Sequence, residues 1–171
     1  MDLAGDVRTN LSRIETIEQR LTWPGRFGSL DALALGSAIV QAASGRETQK
    51  DGSEVGVAVR ITREADETVV FEYLADDKTK RHHRYLDGKR AAALMSGHAS
   101  LWAELALESN VLCPEPFDSS SPMLLGAGAF LVRDDQGLAA TIAVSGLHNG
   151  LDHDVIVEAL ERVLADKLKL A

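Results

Sequence analysis

Cysteine is nearly absent from this chain of 171 residues. Cys113 stands alone, so no internal disulfide framework and no Cys-based zinc knuckle can form. Aromatic residues make up only 5%. Basic residues are also in deficit, 18 Lys plus Arg against 26 Asp plus Glu, for a formal net charge of -8. Such a chain repels a polyanion on average and has no Lys/Arg run as a local exception, which argues against nucleic acid as a partner. Long hydrophobic runs are missing too. The most apolar stretch, Leu30 to Ala43, is interrupted by Asp31, Ser37 and Gln41. It is shorter than the roughly 20 residues needed to span a bilayer. The start, Met1-Asp2-Leu3-Ala4-Gly5-Asp6, lacks the basic and apolar regions of a secretory signal, so the expected location is cytoplasmic, with no membrane contact. What is present is ordinary: 45% hydrophobic and 26% charged residues. This suits a single domain over 1–171 that buries roughly 70% of its unfolded surface.

Periodicity gives the elements. Val7, Leu11, Ile14, Ile17 and Leu21 fall on one helical stripe, preceded by Asp6 as a candidate N-cap and ended by Pro24-Gly25. This N-terminal helix occupies 1–22 and the remaining core 23–171. Ser29 is placed to cap a second helix, Leu30 to about Ala43, whose low charge predicts deep burial. Val55, Val57, Val59 and Ile61 alternate with smaller or polar residues, as in a strand with one buried face. Thr68 to Leu74 forms its antiparallel partner across the charged turn 63–67. Lys80 to Glu108 is helical, with a break at Ser96-Gly97, and a proline-bearing connection follows from Val111 to Pro122. A second hairpin, Ala127–Arg133 and Leu138–Val144, turns at Asp134-Asp135-Gln136-Gly137. The last helix starts at Asp152 with Val155, Ile156, Ala159, Leu160, Val163 and Leu164 on one face, acidic residues first and Lys167 and Lys169 near the end. Helices alternating with two hairpins predict an α+β domain, an antiparallel sheet covered by helices.

Several residues invite a chemical reading. His148 and His153, with Asp152 and Asp154 nearby, offer metal-ligating groups, but a spacing of five does not put both rings on one helix face. Helix capping by Asp152 and local packing of His153 is the plainer account. Ser145-Gly146 closes a strand before a helix, yet the glycines of a nucleophile elbow are replaced by Ala143 and Leu147. Cys113-Pro114 has the form of a thiolate haem ligand, though an inert loop cysteine explains it as well. Lys78, Lys80, Arg81 and Arg84, around His82 and His83, make a small basic cluster that a solvated helix face accounts for. Gly126-Ala127-Gly128 leads into a strand and so is no dinucleotide fingerprint.

The C-terminal half carries a family resemblance. Leu124-Leu125-Gly126-Ala127-Gly128-Ala129-Phe130, Ile142-Ala143-Val144-Ser145-Gly146-Leu147, and Leu151-Asp152-His153-Asp154 onward to Leu160 resemble the GlcG/HbpS-like haem-binding ("haem-degrading") family, in its cytoplasmic subgroup. Gly97-His98-Ala99-Ser100-Leu101 is similar to a G-H-S-S segment there, with Lys89-Arg90 upstream. Two motifs depart from the subgroup. Its G-G-x-F-P becomes Ala127-Gly128-Ala129-Phe130-Leu131 here, losing one glycine and the proline, and its R-F-G-H becomes Met95-Ser96-Gly97-His98. The resemblance implies a profilin-like sheet of about five antiparallel strands with helices on both faces, a homo-oligomer, and haem or a related tetrapyrrole as ligand. On that basis Gly126, Gly128, Ser145 and Gly146 would let backbone approach the ligand. Asp152, at the helix start, would belong to the same ligand-binding set, and His98 and His153 would supply polar or axial contacts. The alternative is a structural or interaction protein whose glycine-rich loops build the oligomer interface. An enzyme using His153 with Asp152 or Ser145 in acid–base work is the third reading.

Overall fold

The computed structural model describes residues 6–112, 126–148 and 150–169. Helices α1 (Val7–Arg20) and α2 (Ser29–Ala43) precede a hairpin of β1 (Ala58–Arg63) and β2 (Thr68–Leu74). Helices α3 (Arg81–Ser96) and α4 (Ser100–Glu108), a second hairpin of β3 (Ala129–Asp134) and β4 (Gly137–Ser145), and α5 (Leu151–Lys169) complete the order. The two hairpins join through β1 and β4 into one antiparallel sheet, β2-β1-β4-β3. Among the described residues the sheet has four strands, not the five implied by the family resemblance. The polar stretch that precedes β1 contributes only an isolated bridge between Thr48 and Glu54.

Alternation along the strands assigns the two faces. Val59 and Ile61 of β1, Phe130 and Val132 of β3, and Ala140, Ile142 and Val144 of β4 point into the main core. There they meet Leu35 and Ile39 of α2 and Val155, Ile156, Ala159 and Leu160 of α5. Under α3 the opposite face is rich in alanine. Ala58 and Ala143 pack with Leu86 of α3, and Ala129 and Leu131 pack with Ala93. With Gly88 and Ala92 also buried, α3 lies close against this alanine floor. Helices therefore cover both faces of the sheet.

Several local expectations change in detail. Asp6 occupies the N-cap of α1, but its side chain makes no capping bond; its carbonyl accepts from Asn10 instead. Gly28, not Ser29, is the N-cap of α2, and Asp31 reaches back to accept its N–H at 2.8 Å. Leu30 and Leu33 of α2 are 82% and 54% exposed, so that helix is buried along one side only. β1 begins at Ala58 rather than Val55, because Gly56 is tied to Asp77 and Val57 pairs with Ala75 outside the ladder. The break at Gly97 is real, with a left-handed φ of 74° closing α3. Cys113-Pro114 and most of the proline-bearing connection lie outside the described residues. No helix among them is long and apolar enough to cross a membrane.

Two buried positions control the centre of this packing. Gly128, just before β3, has a φ of +122°, and its carbonyl accepts from Val144 N–H at 2.6 Å. A Cβ there would collide with the Val144 carbonyl oxygen and come 2.8 Å from Asp152 Cβ. His153 of α5 is fully buried, 6.1 Å from the Phe130 ring, and neither ring nitrogen has a hydrogen-bond partner. Burial of the charged form pulls its pKa down to about 4, against weaker opposing attraction from Asp154 and Glu18.

Gly128→Ala is expected to cost about 2–4 kcal/mol, from left-handed strain plus overpacking. Gly25→Ala, with a positive φ but open space around it, serves as the control. Equal losses of denaturation midpoint in the two variants would refute the packing account. For His153, the unfolded chain takes up a proton below about pH 6.5 and the folded chain only below about 4. Stability from keeping this ring neutral is therefore complete above pH 6.5 and is lost as pH falls towards 4, on the order of 3 kcal/mol in all. His153→Leu should flatten that part of the acid limb in urea denaturation measured from pH 4 to 8. An unchanged acid slope would show that the ring does not control it.

Candidate functional site

The site grows from one buried ion pair. Lys89 sits on the sheet-facing side of α3, three residues after Leu86 and four before Ala93, and is only 7% exposed. Its ammonium donates to Asp152 Oδ2 at 2.7 Å and to the Val144 carbonyl at 3.0 Å. Asp152 is 3% exposed, and its other oxygen, Oδ1, accepts from Leu147 N–H at 3.0 Å. Burial pushes the Asp152 carboxyl up, while Lys89 and the N–H groups of Leu147 and Gly146 pull it back. Its place in the first turn of α5 adds the favourable end of the helix dipole. A single pair thus fastens α3, the end of β4, the following loop and the start of α5.

The glycine-rich turns close around this pair. Besides Val144 and Asp152, the space a side chain at Gly128 would need is taken by Lys89 Nζ, 2.9 Å away. Ser100, the first residue of α4, donates to the Gly126 carbonyl at 2.7 Å and accepts from Ala129 N–H at 2.9 Å, which fixes the turn before β3. On the other side, Gly146 has a φ of +152° and presses against Gly56 and Lys78. Gly126, Gly128, Ser145, Gly146 and Asp152 are therefore brought to one end of the sheet. Ser145 itself is buried as the last residue of β4, opposite Ala58 of β1.

Two recesses flank the loop after β4. One, of about 400 Å³, is lined by Lys89, Asp152, Gly126, Ala127 and Leu147, with Leu101, Glu104, Leu105 and Glu108 from α4 and Gly150 from the loop. Glu104 is half-buried; burial first, and then repulsion from Glu108, raises its pKa, with Lys89 and Ala127 N–H opposing. The second recess, of about 580 Å³, holds Gly146 and His148 with Lys78, His82, Glu47 and Asp77. Here the polar groups are paired with one another: His148 with Glu47 at 3.2 Å and Lys78 with Asp77 at 3.1 Å. Among the described residues no group of three or more His, Cys, Asp or Glu is placed to hold a metal ion.

The two histidines do not join the Lys89–Asp152 recess. His98 lies at the seam of α1 and α4, with Nδ1 2.7 Å from Glu18 and its ring stacked on Trp102 at 4.2 Å. The Glu18 hydrogen bond raises the His98 pKa, with burial opposing. Glu18 also accepts from Ala99 N–H, and Glu15 from the Trp102 indole, so α1 grips the start of α4 here. His153 points into the core. Glu104 was not among the residues singled out from sequence, and Lys89 entered only as part of Lys89-Arg90 in the family resemblance, with no role assigned. For Lys89 the available signal was a lone cation at apolar-face spacing in an alanine-rich helix. For Glu104 there was none.

Several solved structures share the fold. The crystal structure of Ybr137w protein is similar with a TM-score of 0.76 at 23% identity, covering 92% of this chain and 89% of that one. A double mutant of HbpS from Streptomyces reticuli is similar with a TM-score of 0.60 at 21% identity, over 85% of this chain and 91% of that chain. The PduOC:heme complex is similar with a TM-score of 0.60 at 18% identity, over 80% and 94%. Among curated protein sequences none matches significantly. The family model described as "Haem degrading protein HbpS-like" matches residues 27–161, and the chain belongs to that family.

Proposed function

We propose that the protein is a cytoplasmic, homo-oligomeric small-molecule-binding module whose ligand site is the recess beside Lys89 and Asp152, with haem or a related tetrapyrrole as the ligand. The observation that carries this reading is that both family-like turns reach one recess, through Gly126 and Ala127 of the first and Leu147 of the second. Its volume of about 400 Å³ is within the range of small-molecule sites. Membership of a haem-degrading family and likeness to a protein solved with haem support the ligand class. Exposed Leu30 and Leu33 on α2, and Leu168 on α5, support self-association.

The lining residues fit a tetrapyrrole in part. Leu101, Leu105, Ala127 and Leu147 suit the apolar edge of a flat ring, and the side-chain-free turn at Gly126 permits close approach. No described lining residue is a histidine, and the Lys89 ammonium is committed to Asp152 and Val144. Leu101, Leu105, Ala127 and Leu147 would hold an edge of the ring, and the described lining would offer it no imidazole. Lys89 and Asp152 position the loop rather than act as acid or base, since each neutralises the other.

A competing reading makes the same turns purely structural, parts of an oligomer interface. It is favoured by the glycine at 128, which packing within the chain already requires. Titration with ferric haem separates the two readings. The binding reading expects a saturable Soret shift, weakened tenfold or more by Ala127→Phe, which fills the recess, and unchanged by His98→Ala. Loss of the shift in His98→Ala alone would move the site to the α1–α4 seam, and no shift at micromolar haem would reject binding. Light scattering after size exclusion should give the same oligomer for Ala127→Phe as for the parent. A monomer would favour the interface reading.

A further inference from the structure

The charge of the recess sets which edge of a ligand it accepts. Among the described residues its lining carries one cation, Lys89, against three carboxylates: Asp152, Glu104 and Glu108. Lys89 and Asp152 are joined at 2.7 Å and cancel, leaving the two α4 glutamates. Four residues apart on one helix, they share a face. Glu104 has the Ala127 N–H as a hydrogen-bond donor, but neither glutamate has an ion-pair partner among the described residues. The lining combines apolar Leu101, Leu105, Ala127 and Leu147 with the two α4 carboxylates, a wall that suits a flat apolar body whose inserted end is cationic. The same wall repels a carboxylate, and repulsion is stronger in a partly dehydrated recess than in water.

We propose that Glu104 and Glu108 act as a charge filter, so that the recess takes the uncharged or cationic edge of an apolar ligand and excludes a carboxylate-bearing edge. This rests on the recess being the ligand site but does not require the ligand to be a tetrapyrrole. For a tetrapyrrole it fixes orientation, with the ring edge inside and the propionates outside. Burial first, and Glu108 second, raise the Glu104 pKa.

The test uses two probes of one size and opposite charge, 1-naphthylmethylammonium and 1-naphthoate, followed by amide shifts of Gly126 and Gly150 in the full chain at low salt. The ammonium should bind at least tenfold more tightly. Added salt should narrow the gap, and Glu104→Gln with Glu108→Gln should reduce it to about threefold or less. Equal binding, tighter naphthoate, no binding of either probe, or a ratio untouched by the double substitution would each overturn the filter. Ferric haem and its dimethyl ester provide the second arm, where the ester should bind more tightly. If the naphthalene ammonium binds as expected and neither haem form does, the filter stands and the tetrapyrrole reading falls.

Discussion

The contact between the Lys89 ammonium and the Asp152 carboxylate organises this end of the molecule. Both groups are almost fully withdrawn from water, and such a pair is tolerated only when the remaining hydrogen-bonding capacity is met. Here the Val144 carbonyl and the Leu147 N–H meet it. Because those partners come from the end of β4 and the loop beyond it, satisfying the pair also fixes the backbone that walls both recesses. Stability and site geometry are set by the same few bonds. Removing one partner alone would leave a buried charge, which typically costs about 3–5 kcal/mol.

The helical parts were largely legible in the sequence because their periodicity is local. The stripe of α1, the hairpin turns at 63–67 and 134–137, and the break at Gly97 each depend on a few adjacent residues. The start of β1 was less so. Val55 and Val57 keep the alternation of a strand, yet Gly56 is drawn out of the ladder by Asp77, 21 residues away. Exposure of Leu30 and Leu33 was hidden as well, since composition gives the average burial of a helix and not which side faces outward.

The site divides along the same line. Turns rich in glycine at 126–128 and 145–146 announce themselves, because few other residues adopt their backbone conformations. The partner they close on, Lys89, lies 63 residues before Asp152, and no local pattern links the two. His98 and His153 illustrate the reverse case. Their chemistry suggests ligands, but one is held by Glu18 and Trp102 at a helix seam and the other is enclosed beside Phe130. Residue type proposes a role, and the packing around it decides whether the group can reach anything.

The alanine floor beneath α3 works as a shim. Its thinness lets the helix axis settle near the strands, which brings the lysine stem within reach of a carboxylate on the far side of the β4 terminus. A bulkier residue at Ala58, Ala129 or Ala143 would lift α3 and draw the ammonium off its partner without touching either member of the pair. Variation in what this protein holds is therefore cheapest on α4 and in the turns, while the floor beneath α3 keeps a fixed gauge.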